Sequence, residues 1–469
     1  MTHTPTYLFY DLETSGLNPA FDQILQFAAI RTDVDFRELE RYEFRVRLRP
    51  DIIPSPGALL ATDISVFQAL TAGKPEYEAA REIQALVSQP GTTNLGYNSL
   101  SFDDQFLRFT FYRNLLPPYN HQWQNGCRRL DLFPLTVFYW LHDSPLLDWP
   151  TVSGKPTLKL EHLSQANGLA TGQAHDALVD VAATVALTRR LRQDNNLWDA
   201  CLAFFDKTTF DERLGQLPQF MERPSALLVQ GKFGYDQQCQ VPALYLGQSE
   251  TAAPRHLWLR LDRPELPETT SATIAEKTRV IRQKPGEPPF AQPPKPHKLS
   301  AERHDTTVAN MTWLQRQPQL LAEIARYHRA RSFDDSFTPD ADAALYANGF
   351  ASDALAASQQ QFHQASLPEK IALTAQLPDE TSRELAVRLL CRHERLAYRF
   401  PSYQTYARRI RDEAQPLLDF RGKPRLTPQQ ALADITDARQ QDLTPRQQEI
   451  LDDLERYLRF QFGQPQWDS

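Results

Sequence analysis

The run Tyr7-Leu8-Phe9-Tyr10-Asp11-Leu12-Glu13-Thr14 constrains this chain more than any other stretch. Apolar, strand-forming residues lead directly into two carboxylates one residue apart. Side chains i and i+2 of a strand leave the same face. Asp11 and Glu13 therefore point together at the end of a strand that residues 7–9 bury. Thr14-Ser15-Gly16 reads as a turn. Adjacent acids repel each other and are costly unless a cation neutralises them. Carboxylate oxygens suit hard ions such as Mg²⁺ or Mn²⁺. A strand running into an acidic turn is the plainer alternative, and the pair gains weight only from charged residues further down the chain.

A chain of 469 residues exceeds a single core and predicts roughly two to four domains. Residues 1–195 alternate strand-like and helix-like patterns, which predicts an α/β domain. Strands are expected at residues 24–31, 44–48 and 93–98, and helices at 76–87, 102–115 and 158–163. His175 opens a further helix. Residues 196–340 change character: residues 225–230, 239–246 and 256–262 read as short strands of a small β-barrel or sandwich. Residues 256–261 alternate throughout, so one face is expected to be buried. The proline-rich segment 284–296 cannot be helical and reads as an extended loop or polyproline crossing. A helix is expected over residues 308–329.

Residues 341–469 read as helical to the end. Ile450, Leu451, Leu454 and Leu458 form an apolar stripe at helical spacing. Arg388, Arg392, Arg395 and Arg399 line one helix face. Such a row is ordinarily solvated; the other reading is a track for phosphates.

Composition narrows the function classes. No apolar run approaches membrane-spanning length, and no basic segment followed by an apolar core marks a secretory signal. Cys127, Cys201, Cys239 and Cys391 show no metal-ligand spacing and fit reduced thiols of a bacterial-type cytoplasm. The net charge of −7 excludes nucleic-acid binding by bulk charge. It leaves room for a basic groove confined to one face.

Two more charged constellations lie downstream of the first acid pair. Gly96-Tyr97-Asn98-Ser99-Leu100-Ser101-Phe102-Asp103-Asp104 sets a carboxylate at a helix start after a polar loop. His175-Asp176-Ala177-Leu178-Val179-Asp180 sets an imidazole at a helix start and an acid on its second turn, with Asp176 as an N-cap. Together they suggest two-metal hydrolysis of a phosphodiester. Two divalent ions clamp the attacking and leaving oxygens, and several carboxylates hold them. A histidine suits the general base, because its ordinary pKa lies nearest neutrality. Each residue alone has a plainer reading: helix caps for Asp103 and Asp104, a satisfied core or surface imidazole for His175, a solvated helix position for Asp180.

Asp11-Leu12-Glu13-Thr14, Phe102-Asp103 after Gly-Tyr-Asn, and His175-x4-Asp180 resemble the three motifs of the DEDDh 3′→5′ exonucleases, whose domain is an RNase H-like α/β fold. The chain is more closely similar to the bacterial exonuclease I family. The runs Phe27-Ala28-Ala29-Ile30-Arg31-Thr32-Asp33, Phe111-Tyr112-Arg113-Asn114, Leu160-Glu161-His162-Leu163 and Ala174-His175-Asp176-Ala177 carry that likeness. The resemblance implies an exonuclease domain over residues 1–195, an SH3-like β-domain with an extension over 196–340, and a C-terminal helical domain over 341–469. It implies Asp11, Glu13 and Asp180 as metal ligands, Asp103 completing the acidic set in preference to Asp104, and His175 as general base. Lys159 is implied to hold a phosphate of the terminal nucleotide, and Glu13, Arg108, Tyr119 and Trp123 to touch the strand. Aromatic stacking and phosphate pairing hold single strands without reading sequence; packing beside a proline-rich loop is the alternative for Tyr119 and Trp123.

The implied activity is stepwise hydrolysis of single-stranded DNA from its 3′ end to 5′-mononucleotides, in DNA repair and recombination, with two Mg²⁺ ions or Mn²⁺ in their place. The β-domain and helical domain are implied to arch over the strand. The implied partner is the acidic C-terminal tail of single-stranded-DNA-binding protein, although basic positions for that contact do not align clearly. A cytoplasmic monomer without a membrane partner is expected. An RNA- or oligonucleotide-trimming enzyme of the same superfamily is one competing reading, and the roughly 270 extra residues argue against it. A catalytically silent single-strand-binding scaffold is another, and the intact acidic set argues against that.

Overall fold

The computed structural model describes residues 4–170, 176–251, 253–295, 299–331, 337–394 and 396–463. Packing divides the chain into two compact units, one of Met1–Leu130, Ala170–Val185 and Asp335–Ser469, the other of Asp131–Leu169 and Ala186–Asp334. Among the described residues no helix is long and apolar enough to cross a membrane.

A five-stranded sheet underlies the first unit. It comprises β1 (Thr6–Thr14), β2 (Ile24–Thr32), β3 (Glu38–Arg45), β4 (Thr92–Gly96) and β5 (Arg128–Asp131), in the order β3-β2-β1-β4-β5. β1 is central, antiparallel to β2 and parallel to β4. Every residue of β2 is buried, as in a strand covered on both faces. β3 is the edge, and Glu38, Glu40, Arg41, Glu43 and Arg45 give it the charge that discourages further pairing. The third strand thus lies earlier than residues 44–48. After Arg45 the chain leaves the edge, and the Val46, Arg47 and Leu48 amides donate to Leu25, Lys74 and Ala69 instead.

The expected helix at residues 76–87 forms as Glu76–Val87. Ala79, Ala80, Ile83, Leu86 and Val87 pack it into one core with Leu8, Tyr10 and Phe27. A second core joins Phe21, Leu25, Ile52 and Ile53 to the C-terminal helix Pro445–Phe462 through Ile450, Leu451, Leu454 and Leu458. The apolar stripe read from sequence is the seam by which the C-terminal helices close on the α/β block.

The first two arginines of the row are neither solvated nor a phosphate track. Arg388 and Arg392, on the helix Glu380–Glu394, are buried. Arg388 pairs with Asp340 at 2.5 Å and Asp342 at 2.9 Å; Arg392 pairs with Asp342 at 2.5 Å and Asp51 at 2.9 Å. Asp51 also takes Arg49 at 3.1 Å and the Tyr406 hydroxyl at 2.8 Å. Glu76 takes Arg49 at 2.6 Å and Arg113 at 2.9 Å. Burial raises the proton affinity of Asp51, but Arg392, Arg49 and Arg425 outweigh it and hold the carboxyl well below its usual range. Arg399 is exposed on a separate short turn, Ala397–Arg399, and Arg395 lies outside the described residues.

The second unit holds an antiparallel sheet whose strands run Val280–Gln283, His256–Arg260, Gln240–Gln248, Arg223–Val229, Phe290–Gln292. His256–Arg260 is buried on both faces rather than one. Leu257 and Leu259 enter one core, and Trp258 enters another. Within the proline-rich segment, Phe290–Gln292 pairs with Arg223–Val229, because its three residues carry the amide donors the flanking prolines lack. The helix expected over 308–329 is two, Ala301–Gln315 and Pro318–Ala330. Pro318 cannot continue a helix but is suited to start one.

Removing one partner of the buried network leaves a charge stranded in the interior. Arg392→Ala is expected to destabilise the protein by roughly 3–5 kcal/mol. Arg399→Ala, at the exposed end of the same sequence row, should stay within about 0.5 kcal/mol. Chemical denaturation of the two variants checks this.

Candidate active site

Asp11 and Glu13 lie on one face of β1, opposite Ala28 and Gln26 of β2. Register slips immediately after Glu13, where Thr14 pairs with Ile24. A bulge at this point re-aims the strand end and stops regular pairing beside the acids. β4 runs parallel to β1 and delivers the chain to Gly96. A Cβ there would press on Ser99 and the Tyr10 carbonyl. Asn98 takes the left-handed conformation at φ 61°, and the chain enters the helix Asp103–Arg113. Asp180 stands in the first turn of the helix Ala177–Leu191. Asp176 caps that helix, its carboxylate accepting from the Leu178 amide at 3.0 Å.

These acids meet. Burial is the largest influence on Asp11, and the neighbouring carboxylates of Asp103 and Asp180 add to it; all three raise its pKa well above the ordinary value. Glu13 is pushed up to about 9 by burial, then by Asp11, Asp180 and Asp176. Side chains from β1, from the helix Asp103–Arg113 and from the helix Ala177–Leu191 thus sense one another's charge.

Asp103 and Asp104 part company here. Asp104 is fully buried against two guanidinium groups and an imidazole: Arg108 pairs with it, Arg129 lies at 2.7 Å and His121 at 3.1 Å. Burial would raise its pKa, but Arg129, Arg108 and His121 hold it far below the carboxylate range. Asp104 is a structural anion, and Asp103 is the member that faces Asp11. The same pairing commits the Arg108 guanidinium to the interior. Arg108 is 6 % exposed, and it positions Asp104 and its own ring neighbour. That neighbour is Tyr119, half-buried, with the guanidinium 5.8 Å from its ring.

Trp123 is 66 % exposed. Phe350, 84 % exposed, meets Tyr119 edge-to-face at 5.4 Å. Tyr346 bonds to Gln105 on the helix that carries Asp103. Sequence reasoning missed Tyr346 and Phe350. Their signal was two large aromatics in a loop of small and polar residues, Leu345-Tyr346-Ala347-Asn348-Gly349-Phe350. Lys159 lies in the second unit, before the helix Leu160–Asn167, exposed and 3.6 Å from Glu161. His175 lies outside the described residues.

Among the described residues no three His, Cys, Asp or Glu side chains are arranged to hold a metal ion as they stand. The chemistry of the donor set nevertheless fits one. Every influence on Asp11 opposes its ionisation. The donors are hard oxygens, and a divalent cation is the partner that lets such groups ionise together.

Residues 8–188 match the Exonuclease family model. Exodeoxyribonuclease I of Escherichia coli K12 is 40% identical over 189 residues, which are 40% of this chain and 40% of that protein. The structure of E. coli exonuclease I in complex with a 5cy-dT13 oligonucleotide superimposes with a TM-score of 0.81 at 26% identity, covering 98% of this chain and 100% of that one. Over residues 8–188 the chain is similar to the exonuclease family and to exodeoxyribonuclease I. The sequence matches span about 40% of the length of these curated relatives, whereas the shared fold runs nearly end to end. The exonuclease family is metal-dependent, and a zinc-bound E. coli exonuclease I–single-stranded DNA complex superimposes at a TM-score of 0.76, 26% identity, over 98% of this chain and 100% of that one.

The raised Glu13 pKa has a definite sign. Between its ordinary value of 4.5 and about 9, the folded state binds more proton than the unfolded state. Stability of the metal-free protein therefore falls as pH rises across that window. Glu13→Gln should flatten this decline in melting curves taken in chelator. The two neighbouring aspartates are expected to separate cleanly. Asp104→Ala, which strands buried guanidinium groups, should lose roughly 3–5 kcal/mol, and Asp103→Asn should lower turnover with little change in melting temperature.

Proposed function

We propose that this chain is a 3′→5′ exodeoxyribonuclease that hydrolyses single-stranded DNA to 5′-mononucleotides with two divalent ions, Mg²⁺ or Mn²⁺. The convergence of three separate elements supports the reading: Asp11 on β1, Asp103 at one helix start and Asp180 in the first turn of another lie close enough for the latter two to raise the proton affinity of Asp11. Scattered acids on a surface would not raise one another's proton affinity in this way.

Asp11, Glu13 and Asp180 hold the ions, and Asp103 completes the set. When bound, such ions neutralise these carboxylates, draw charge from the scissile phosphate and acidify the attacking water. His175 accepts the proton that the water gives up, and Asp176 caps the helix start beside it. Glu13 also faces the terminal nucleotide. Tyr119, Trp123 and Phe350 stack bases, a role that the exposure of Trp123 and Phe350 supports. Lys159 takes a phosphate. DNA repair and recombination, a cytoplasmic monomer, the acidic tail of single-stranded-DNA-binding protein as partner, and an SH3-like role for the middle sheet belong to the same proposal, on resemblance.

Asp11→Ala and Asp180→Ala are expected to abolish nucleotide release while largely preserving binding of a labelled single strand, since the groove survives the loss of a metal ligand. Equal loss of both activities would count against the assignment. His175→Ala should slow turnover by roughly 10²–10⁴-fold. Intact protein with Mg²⁺ should degrade DNA single strands faster than RNA of the same sequence, and the reverse order would make it an RNA-trimming enzyme.

A further inference from the structure

Directly after the acid strand, the chain makes a rigid turn that opens into a second concavity. Ser15 donates its amide to the Gln23 carbonyl at 2.9 Å, and Asp22 accepts from the Asn18 amide at 2.8 Å and the Ser15 hydroxyl at 3.3 Å. Gly16 is required here, because a Cβ would run into the Asp22 carboxylate. The turn displays Leu17 at 79 % exposure, unusual for a leucine. Leu17 follows Glu13 by four residues, so their Cα atoms stand no more than about 15 Å apart.

The facing wall comes from the C-terminal part of the same unit. Asp419 folds the segment after it into a tight turn, accepting from the Arg421 amide at 2.7 Å and the Lys423 amide at 2.9 Å. Asn18 Nδ2 donates to the same carboxylate at 3.1 Å and ties the two walls together. Phe420 stacks on Phe109, 5.0 Å away on the helix that begins at Asp103. The cavity between the walls measures about 390 Å³, with Leu17, Phe21, Ile53 and Leu426 as its apolar lining and Arg421 and Lys423 at its rim.

The charges on this rim are unbalanced in one direction. The two acids of the cavity, Asp22 and Asp419, are buried and occupied by these turn bonds. Arg425 turns inward, to the Tyr406 hydroxyl and the Asp51 carbonyl. Arg421 and Lys423 are exposed and form no ion pair among the described residues. Arg421 instead lies 4.6 Å over the Phe420 ring. An apolar floor with two outward cations at its lip matches a nucleotide, base against the floor and phosphates at the lip.

We infer that the cavity between the turn at Leu17 and the turn at Arg421–Lys423 is a subsite for nucleotides upstream of the 3′ end of a single strand. The inference rests on the nuclease reading and adds a phosphate-binding pair that the acidic motifs do not reveal. The strand whose terminal phosphodiester lies at Asp11 and Glu13 passes over Leu17, and Arg421 and Lys423 neutralise backbone phosphates there. Neither cation reads sequence, so the subsite adds grip without base preference.

The test measures binding of a fluorescent dT oligonucleotide to the full chain in EDTA, across a salt series. Each phosphate contact on a single strand contributes about 0.7 to the slope of log affinity against log salt. The double variant Arg421→Ala/Lys423→Ala should therefore bind with a slope shallower by about 1.4. The charge-preserving Arg421→Lys/Lys423→Arg should keep the full slope. Arg408→Ala/Arg411→Ala, which removes the same charge from another exposed site, should also keep it. A full slope in the first variant, or an equal loss in the third, overturns the subsite while leaving the nuclease reading intact. Intact protein that binds no single strand overturns both.

Discussion

Burying a carboxylate costs free energy unless a cation comes with it. This chain buries acids in two opposite ways. Asp51, Glu76, Asp104 and Asp342 each sit against two or more guanidinium groups. Their pKa values fall below the ordinary range despite burial. Asp11 and Glu13 are partly buried beside other acids, and their pKa values rise. The first kind fixes geometry, and the second stores an electrostatic demand that a proton or an added cation relieves. The proposed chemistry depends on keeping the two kinds apart within a few residues of each other, as at Asp103 and Asp104.

That separation explains why parts of the site were legible in sequence and others were not. Asp11 and Glu13 were legible because a strand enforces a two-residue period, and the apolar run before them identifies the strand. Asp103 over Asp104 was legible only through resemblance. The spacing gives both residues to the first helical turn, and the distinction comes from Arg108, Arg129 and His121 arriving from later in the chain. The burial of Arg108 against Asp104 is hidden in sequence for the same reason. A cation near a candidate nucleic-acid site looks like a phosphate ligand until its buried partner is known.

The fold follows a similar division. Helix Glu76–Val87 and the stripe on Pro445–Phe462 were readable because each buries one face. The Arg388–Arg392 face was not, since charge periodicity alone does not distinguish a solvated face from a buried ion network. Their acidic partners, Asp51, Asp340 and Asp342, lie 46 to 341 residues away in sequence. The strand at Phe290–Gln292 was hidden by its prolines, and the break at Pro318 by apolar periodicity that continues across it.

The paired network has a consequence for the unpaired one. Crowded acids push on the elements that carry them, and a marginally stable domain relieves such repulsion by moving those elements apart. In the first unit the option is closed. Arg392 reaches Asp51 in the N-terminal block, and Arg425 reaches its carbonyl. Tyr457 donates to the Ile52 carbonyl at 3.2 Å. These bonds sit in the core that also packs Phe21, Leu25 and Ile53, the residues flanking the acid strand's turn. The C-terminal helices thus hold the scaffold of β1 from behind, so repulsion among the acids is met by taking up protons or cations rather than by opening the sheet. On this account the helical segment serves the proposed chemistry even where it touches no substrate, because a carboxylate cluster that could relax would lose affinity for the proposed ions.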